Sequence, residues 1–263
     1  MIIIDTHAHY DEEAFDTDRE ELLASLPEAG ISFVVNVGAS PEGVRDSVEL
    51  SRRYPHVYAA VGIHPDHVGD MSEETLDWLE GLASDPKTVA IGEIGLDYHW
   101  DVWPREIQKL WFARQMELAV KTGLPINVHS REAAQDTFDL VRSVHAGSTG
   151  GIIHCYSGSA EMAQEYVSMG YHIGIGGVIT FRNGKTLKRV VETLPLSALV
   201  TETDCPYLAP SPHRGERNSS LLIPLMIEEI ARIKQMDVEE TAQILYENAL
   251  RVYGKIIESE SHD

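Results

Sequence analysis

Four histidines and two carboxylates stand at positions from which they can act together. His7 and His9 lie two residues apart in DTHAHYD, and in an extended chain residues i and i+2 project to the same side. Glu93 lies near the end of the apolar run TVAIGEI, His129 ends LPINVH, His154 lies in GIIHCY and Asp204 ends ALVTETD. Imidazole nitrogens and carboxylate oxygens together are ligands for divalent ions of the Zn, Mn, Fe or Mg type. Burying six such groups without a partner would cost several kcal/mol each, and a metal centre satisfies them at once. Six protein ligands exceed what one open catalytic ion uses, so two divalent ions sharing Glu93 as a bridge are expected. Such ions acidify a bound water and polarise an electrophile. Asp204 is then the expected general base, and Glu93 and Asp204 carry the catalytic roles.

Other residues read two ways. His64 in GIHPD is placed either to hold a substrate oxygen or to cap its loop. Arg131 and Arg214 suit bidentate grip on an anionic substrate, and surface ion pairs explain them equally well. Cys155 and Cys205 each follow an expected ligand, so alternation turns them away from the site as core thiols. The loop DYHWDVWP, residues 97–104, sets two tryptophans among charged residues. It is either a packed surface loop or part of a substrate rim.

The elements that must position these groups are eight short apolar runs at 2–5, 32–38, 57–63, 88–94, 124–129, 151–156, 171–177 and 198–204. Continuous rather than alternating hydrophobicity is what parallel strands covered on both faces require. Helical segments intervene. Ser40 and Pro41 open one with Val44 and Val48 on one face. Ser72 precedes another striped by Leu76, Leu79 and Ala83. Pro104 begins a long one that Gly123 ends, and Ser159 and Gly170 bracket a fourth. Strand–helix alternation eight times over predicts an α/β fold, a single (β/α)8 TIM barrel over residues 1–263 with extra C-terminal helices from about Leu221 covering its outside. In such a barrel the strand ends meet at one mouth, which brings the six groups together.

The bulk properties agree. A length of 263 residues matches the roughly 250 that this barrel needs. The formal net charge of −21 and pI near 4.9 argue against a broad basic surface tracking a nucleic-acid backbone. They leave room for a small site where bound cations supply the positive charge. With 2 cysteines, no basic amino-terminal signal region and no run near the roughly 20 apolar residues of a membrane helix, a cytoplasmic protein is expected. No protein partner is indicated.

At these residues the sequence resembles the TatD-related deoxyribonuclease family of the amidohydrolase superfamily. The matching stretches are DTHAHYD (5–11), VGIHPD (61–66), IGEIGLDYHWD (91–101), PINVHSREA (125–133), IIHCYSG (152–158), IGIGGVITFRN (173–183) and TETDCPYLAPSPHRGERN (201–218). The resemblance implies a divalent-metal phosphodiesterase acting on DNA, often as an exonuclease at a 3′ end. It also implies metal ligands at His7, His9, Glu93, His129, His154 and Asp204, and His64 near the substrate phosphate. Glu93 stands where many superfamily members carry a carboxylated lysine. One departure is Glu216, where family members often have lysine, which adds negative charge at the expected rim.

Three functions fit this reading. A nuclease acting on DNA ends leads. A metal-dependent hydrolase of an ester or carbonyl substrate follows, since the family includes enzymes that remove D-amino acids from mischarged tRNA. A metal-stabilised binding scaffold is the third.

Overall fold

In a computed structural model of the chain, which describes residues 1–145 and 149–256, the apolar runs form eight strands. They are β1 (Ile3–Ala8), β2 (Ile31–Val37), β3 (Val57–Val61), β4 (Thr88–Asp97), β5 (Ile126–Arg131), β6 (Gly151–Ile153), β7 (Tyr171–Ile175) and β8 (Leu199–Thr201). Sequence neighbours pair in order from β1 to β8, and each pair is parallel. The β1–β8 seam is drawn together by a parallel bridge between Ala8 and Cys205. Beside it Thr6 Oγ1 donates to the Thr201 carbonyl at 3.0 Å. The helices are α1 (Arg19–Ser25), α2 (Pro41–Arg53), α3 (Glu73–Ala83), α4 (Arg105–Thr122), α5 (Ala134–Leu140), α6 (Ala160–Ser168), α7 (Lys185–Thr193), α8 (Ile223–Lys234) and α9 (Val238–Val252). The fold is the expected (β/α)8 TIM barrel with C-terminal helices.

Local chemistry explains the boundaries. Ser40 Oγ accepts from the Gly43 amide at 3.1 Å at the start of α2, and Ser159 Oγ accepts from the Met162 amide at 3.2 Å at the start of α6. Each satisfies an amide that the first helical turn leaves open. Gly123 ends α4 at φ 73°, a left-handed conformation that glycine adopts without a steric penalty. Val44, Val48, Leu76, Leu79 and Ala83 are all buried on the stripes that the spacing predicts.

Two apolar cores result. The larger lies between sheet and helices, with Val34, Val44, Ile91, Met116, Val190 and Ile227 among its members. The smaller gathers Ile4, Val35, Tyr58, Ala60, Ala90, Ile152 and Val200 with Ala249, Tyr253 and Ile256. The Lys255 ammonium donates to the carbonyls of Ala83 and Thr88 at the start of β4, so the segment after α9 closes the amino-terminal end of the barrel. The Tyr253 hydroxyl lies 3.0 Å from both the Thr6 carbonyl and Asn127 Oδ1, and its one hydrogen serves this pair of acceptors. The C-terminal segment therefore does more than cover the outside of the barrel. It plugs the floor, because a lumen lined by apolar side chains needs apolar cover at the end away from the mouth.

Candidate metal centre

At the opposite end the strand ends converge. His7 lies within β1 and His9 one residue beyond it, its amide held by the Cys205 carbonyl at 2.9 Å. His9 Nδ1 donates to the Val37 carbonyl at 2.8 Å. That bond commits Nδ1 as the donor and turns Nε2 toward the mouth. Glu93 is part of β4 and His129 of β5. Between Glu93 and Asp97 the strand passes close under its neighbour: a Cβ at Gly95 would stand 1.9 Å from the His129 carbonyl oxygen. His154 follows β6, its amide bonded to the Val128 carbonyl at 3.0 Å. Asp204 lies three residues past β8 at φ 56°, its amide bonded to the His7 carbonyl at 2.9 Å.

The carboxylate of Glu93 stands at the centre. Its Oε1 lies 2.9 Å from His129 Nδ1 and 3.0 Å from His154 Nε2. Its Oε2 lies 3.6 Å from His7 Nε2 and 3.7 Å from His9 Nε2. Asp204 Oδ1 adds to the second group, 3.4 Å from His9 Nε2 and 3.9 Å from His7 Nε2. One carboxylate thus divides its two oxygens between two pairs of imidazoles. All six sequence-predicted residues are brought together.

His64 joins them. Its ring meets that of His129 edge-on at 4.3 Å between centroids. Its Nδ1 accepts from the Asp66 amide at 3.2 Å, so it caps its loop and offers its Nε2 hydrogen elsewhere. Both sequence readings of His64 are compatible with this geometry. Arg131 and Arg214 are exposed and lie on aromatic rings, Arg131 over Trp100 at 5.5 Å and Arg214 over Phe181 at 4.6 Å. Neither is seated against the six. Glu216 is paired with His213 at 2.8 Å.

The electrostatics follow from crowding without solvent. Burial alone would raise the Glu93 carboxyl, but the imidazoles of His154, His7 and His129 outweigh it and hold it well below the usual carboxylate range. Burial opposes ionisation of Asp204 too, and His9 leads the groups that reverse it. Burial, with His129 adding to it, drives His64 down to about 3, so that imidazole is neutral at pH 7. Asp204 and His129 are the more open members, with 19% and 16% of their side chains exposed against 0% for His7.

Two carboxylates in the site escaped sequence reasoning. Asp97 Oδ2 lies 3.0 Å from His129 Nε2, and Glu202 Oε1 lies 3.7 Å from His154 Nδ1 and accepts from the Cys155 amide. The signal was available in their spacing: Asp97 shares the strand of Glu93, and Glu202 precedes Asp204 by two residues. Cys155 also departs from expectation. It lies beyond β6 at φ 45°, where strand alternation no longer governs direction. Burial and the nearby charge of Asp204 push its thiol up to about 12.

Comparison with known proteins agrees with this geometry. Residues 4–254 match the family described as TatD related DNase. The uncharacterized metal-dependent hydrolase YabD of Bacillus subtilis is 42% identical over 252 residues, spanning 96% of this chain and 99% of that one. The uncharacterized metal-dependent hydrolase TatD of Mycobacterium tuberculosis is 34% identical over 259 residues, spanning 96% and 98%. Among solved structures, YJJV, a TATD homolog from Escherichia coli K12, superposes with a TM-score of 0.88 at 29% identity, covering 96% of this chain and 98% of that one. The chain belongs to the TatD-related DNase family.

Proposed function

We propose that this protein is a metal-dependent hydrolase that cleaves phosphodiester bonds at the ends of DNA, using two divalent ions of Mg, Mn or Zn. The observation that carries the reading is the division of the Glu93 oxygens between the His7–His9 and His129–His154 pairs. The donor set fits such ions. His7 Nε2 and His9 Nε2 face each other at 3.1 Å, and His9 already spends its Nδ1 hydrogen on Val37. Carboxylate oxygens surround both nitrogens, and a cation between them satisfies all these lone pairs together. His7, His9, Asp204 and Glu93 would form one set of ligands; His129, His154 and Glu93 would form the other. When bound, divalent ions polarise the phosphoryl group, neutralise developing charge and make water acidic enough to yield hydroxide near neutral pH.

The chain's own residues supply the rest. Asp204, the more open carboxylate, accepts the proton of the attacking water. Neutral His64 donates from Nε2 to an oxygen of the phosphoryl group, a role open to an imidazole whose Nδ1 is already an acceptor. Asp97, 3.0 Å from His129 Nε2, orients that ring as a hydrogen-bonded partner of a ligating histidine does, and Glu202 sets its carboxylate 3.7 Å from His154 Nδ1. Arg131 at the end of β5 and Arg214 on the loop after β8 hold flanking phosphates.

The test is direct. Protein stripped of metal and reloaded with Mg, Mn or Zn is offered end-labelled single-stranded DNA beside an aminoacyl-tRNA. Stepwise shortening of the DNA that chelation stops is the expected result. Intact DNA under every metal would overturn the nuclease reading, and loss of the aminoacyl group instead would move the substrate to an ester.

A further inference from the structure

A chain with 42 acidic against 21 basic residues has few places where cations outnumber carboxylates around one space. One lies at the end of the barrel opposite the metal centre and outside the lumen, where the last turn of α2 meets the turn that leads into β4. A cavity of about 680 Å³ opens there, within the size range of small-molecule sites. Arg52, Arg53 and Lys87 line it, and Asp85 is its one acidic wall among the described residues. Buried Phe33 of β2 and Tyr58 of β3 stand behind them.

Two of the three cations have local reasons to be where they are. Arg52 and Arg53 occupy the last turn of α2, where open carbonyls favour positive charge. Arg52 also sets Nε and Nη2 on Asp85 Oδ2 at 3.0 and 2.8 Å, and Arg53 Nη2 donates to Glu20 Oε1 at 2.6 Å. Lys87 is different. Its ammonium lies 3.9 Å from the centre of the Tyr58 ring and donates to the Pro55 carbonyl, and no carboxylate among the described residues pairs with it. Asp85 is already committed, one oxygen to Arg52 and the other to the Lys87 amide at 2.9 Å. Partial withdrawal from water pushes the Lys87 ammonium down to about 8, so it is charged at pH 7 and held there at a cost. An incoming anion removes that cost.

The walls stand ready before any ligand arrives. Behind the turn, the Lys255 ammonium donates to the carbonyls of Ala83, Asp85 and Thr88 at 2.9, 3.4 and 3.0 Å. A site fixed in this way loses little freedom on binding.

We propose that this cavity is a second binding site, distinct from the metal centre, that takes a small molecule bearing a phosphate group. Three cations against one carboxylate leave an excess of two positive charges in the walls, which matches the charge of a phosphate monoester near neutral pH. Lys87 supplies a compact charge, while the guanidinium forks of Arg52 and Arg53 keep donors beyond those already engaged and suit phosphate oxygens. Pro55 and Pro86 offer apolar wall to the organic part. The site stands whichever bond the metal centre cuts.

Metal-loaded wild type, Lys87→Gln and Lys87→Arg are titrated in a calorimeter with inorganic phosphate, ribose 5-phosphate and a 5′-mononucleotide. Phosphate groups can also meet the metal ions, so the reading is the difference among the three proteins. Lys87→Gln weakens the tightest-binding probe by about tenfold or more, and Lys87→Arg stays within about threefold of the wild type. Which probe binds most tightly tells free phosphate, sugar phosphate and nucleotide apart as the source. Should Lys87→Gln fail to fold, Arg53→Gln carries the same comparison from the exposed wall, with a loss of about threefold or more. Equal affinities in wild type and variants place all binding at the metal centre and overturn the site, as does a wild type that binds none of the three probes.

Discussion

The two ends of the barrel are built from the same strands and solve opposite problems. At the amino-terminal floor, Ile4, Tyr58, Ala90, Ile152 and Val200 meet Ala249, Tyr253 and Ile256 in a dry core. Polar groups delivered there find partners: the Tyr253 hydroxyl meets Thr6 and Asn127, and the Lys255 ammonium donates to the carbonyls of Ala83 and Thr88. At the mouth, His7, His9, Glu93 and His154 are buried as well, yet there imidazoles and carboxylates crowd one another, with the Glu93 oxygens 2.9–3.7 Å from His129, His154, His7 and His9. The floor is arranged for stability, and the mouth crowds titratable groups that a divalent ion would reconcile. The practical lesson is that changes at the floor act on folding, while changes at the mouth act on turnover.

Four measurements break or sharpen that contrast. The largest effect is expected at Asp204. Asp204→Asn lowers kcat by about 10²–10⁴-fold, the range for loss of a general base, with an unfolding temperature close to that of the wild type. A near-normal rate in that variant would refute the assigned role. Next comes the floor: Tyr253→Ala is expected to cost about 3–5 kcal/mol in urea unfolding, with kcat per folded molecule unchanged. A parallel collapse of kcat in the folded fraction would show that the two ends are coupled. Third is Glu202→Gln, which keeps the shape of the side chain and removes its charge beside His154. Divalent-metal affinity should fall about 10–100-fold, read by metal content after dialysis at graded free metal. Unaltered affinity would mean that Glu202 serves the fold alone.

The smallest effect lies away from both ends. On α8, the Arg232 guanidinium beside Glu229, helped by the Lys188 ammonium, holds the Glu229 carboxyl down at about 2 from an ordinary 4.5. A lowered folded-state pKa stabilises fully above the unfolded value, and the contribution fades as the pH falls from about 4.5 to about 2. Glu229→Gln should therefore cost no more than about 1 kcal/mol at pH 7, as solvent-facing pairs do. At pH 2 it should cost less still. A larger penalty at pH 2 than at pH 7 would show the sign to be wrong. Turnover should not respond at either pH at which the enzyme is folded.

Much of the architecture was legible because its causes are local. Covered parallel strands need near-continuous apolar runs, so all eight were visible in the composition of short segments. Caps such as Ser40 and Ser159, and the left-handed Gly123, are decided within a few residues of themselves. The six centre residues were legible for a related reason: polar groups that interrupt apolar runs at their ends are conspicuous. What escaped has a common character. Asp97 and Glu202 look like ordinary acidic residues until His129 and His154, over thirty residues away in sequence, are placed beside them. Cys155 was expected to follow strand alternation, which ends once the backbone turns to φ 45°.

The sequence by itself determined the kind of barrel and the cast of the mouth, because apolar periodicity and residue type survive without knowledge of distance. Only the tertiary structure decided that Glu93 offers one oxygen to each pair of imidazoles, and that Asp97 links His129 to the loop of Trp100. It also decided that Tyr253 closes the floor instead of lying on the outside. Each of these depends on the register between strands and on contacts between segments far apart in the chain. A shift of one residue in that register would turn the side chains to the other face of the sheet.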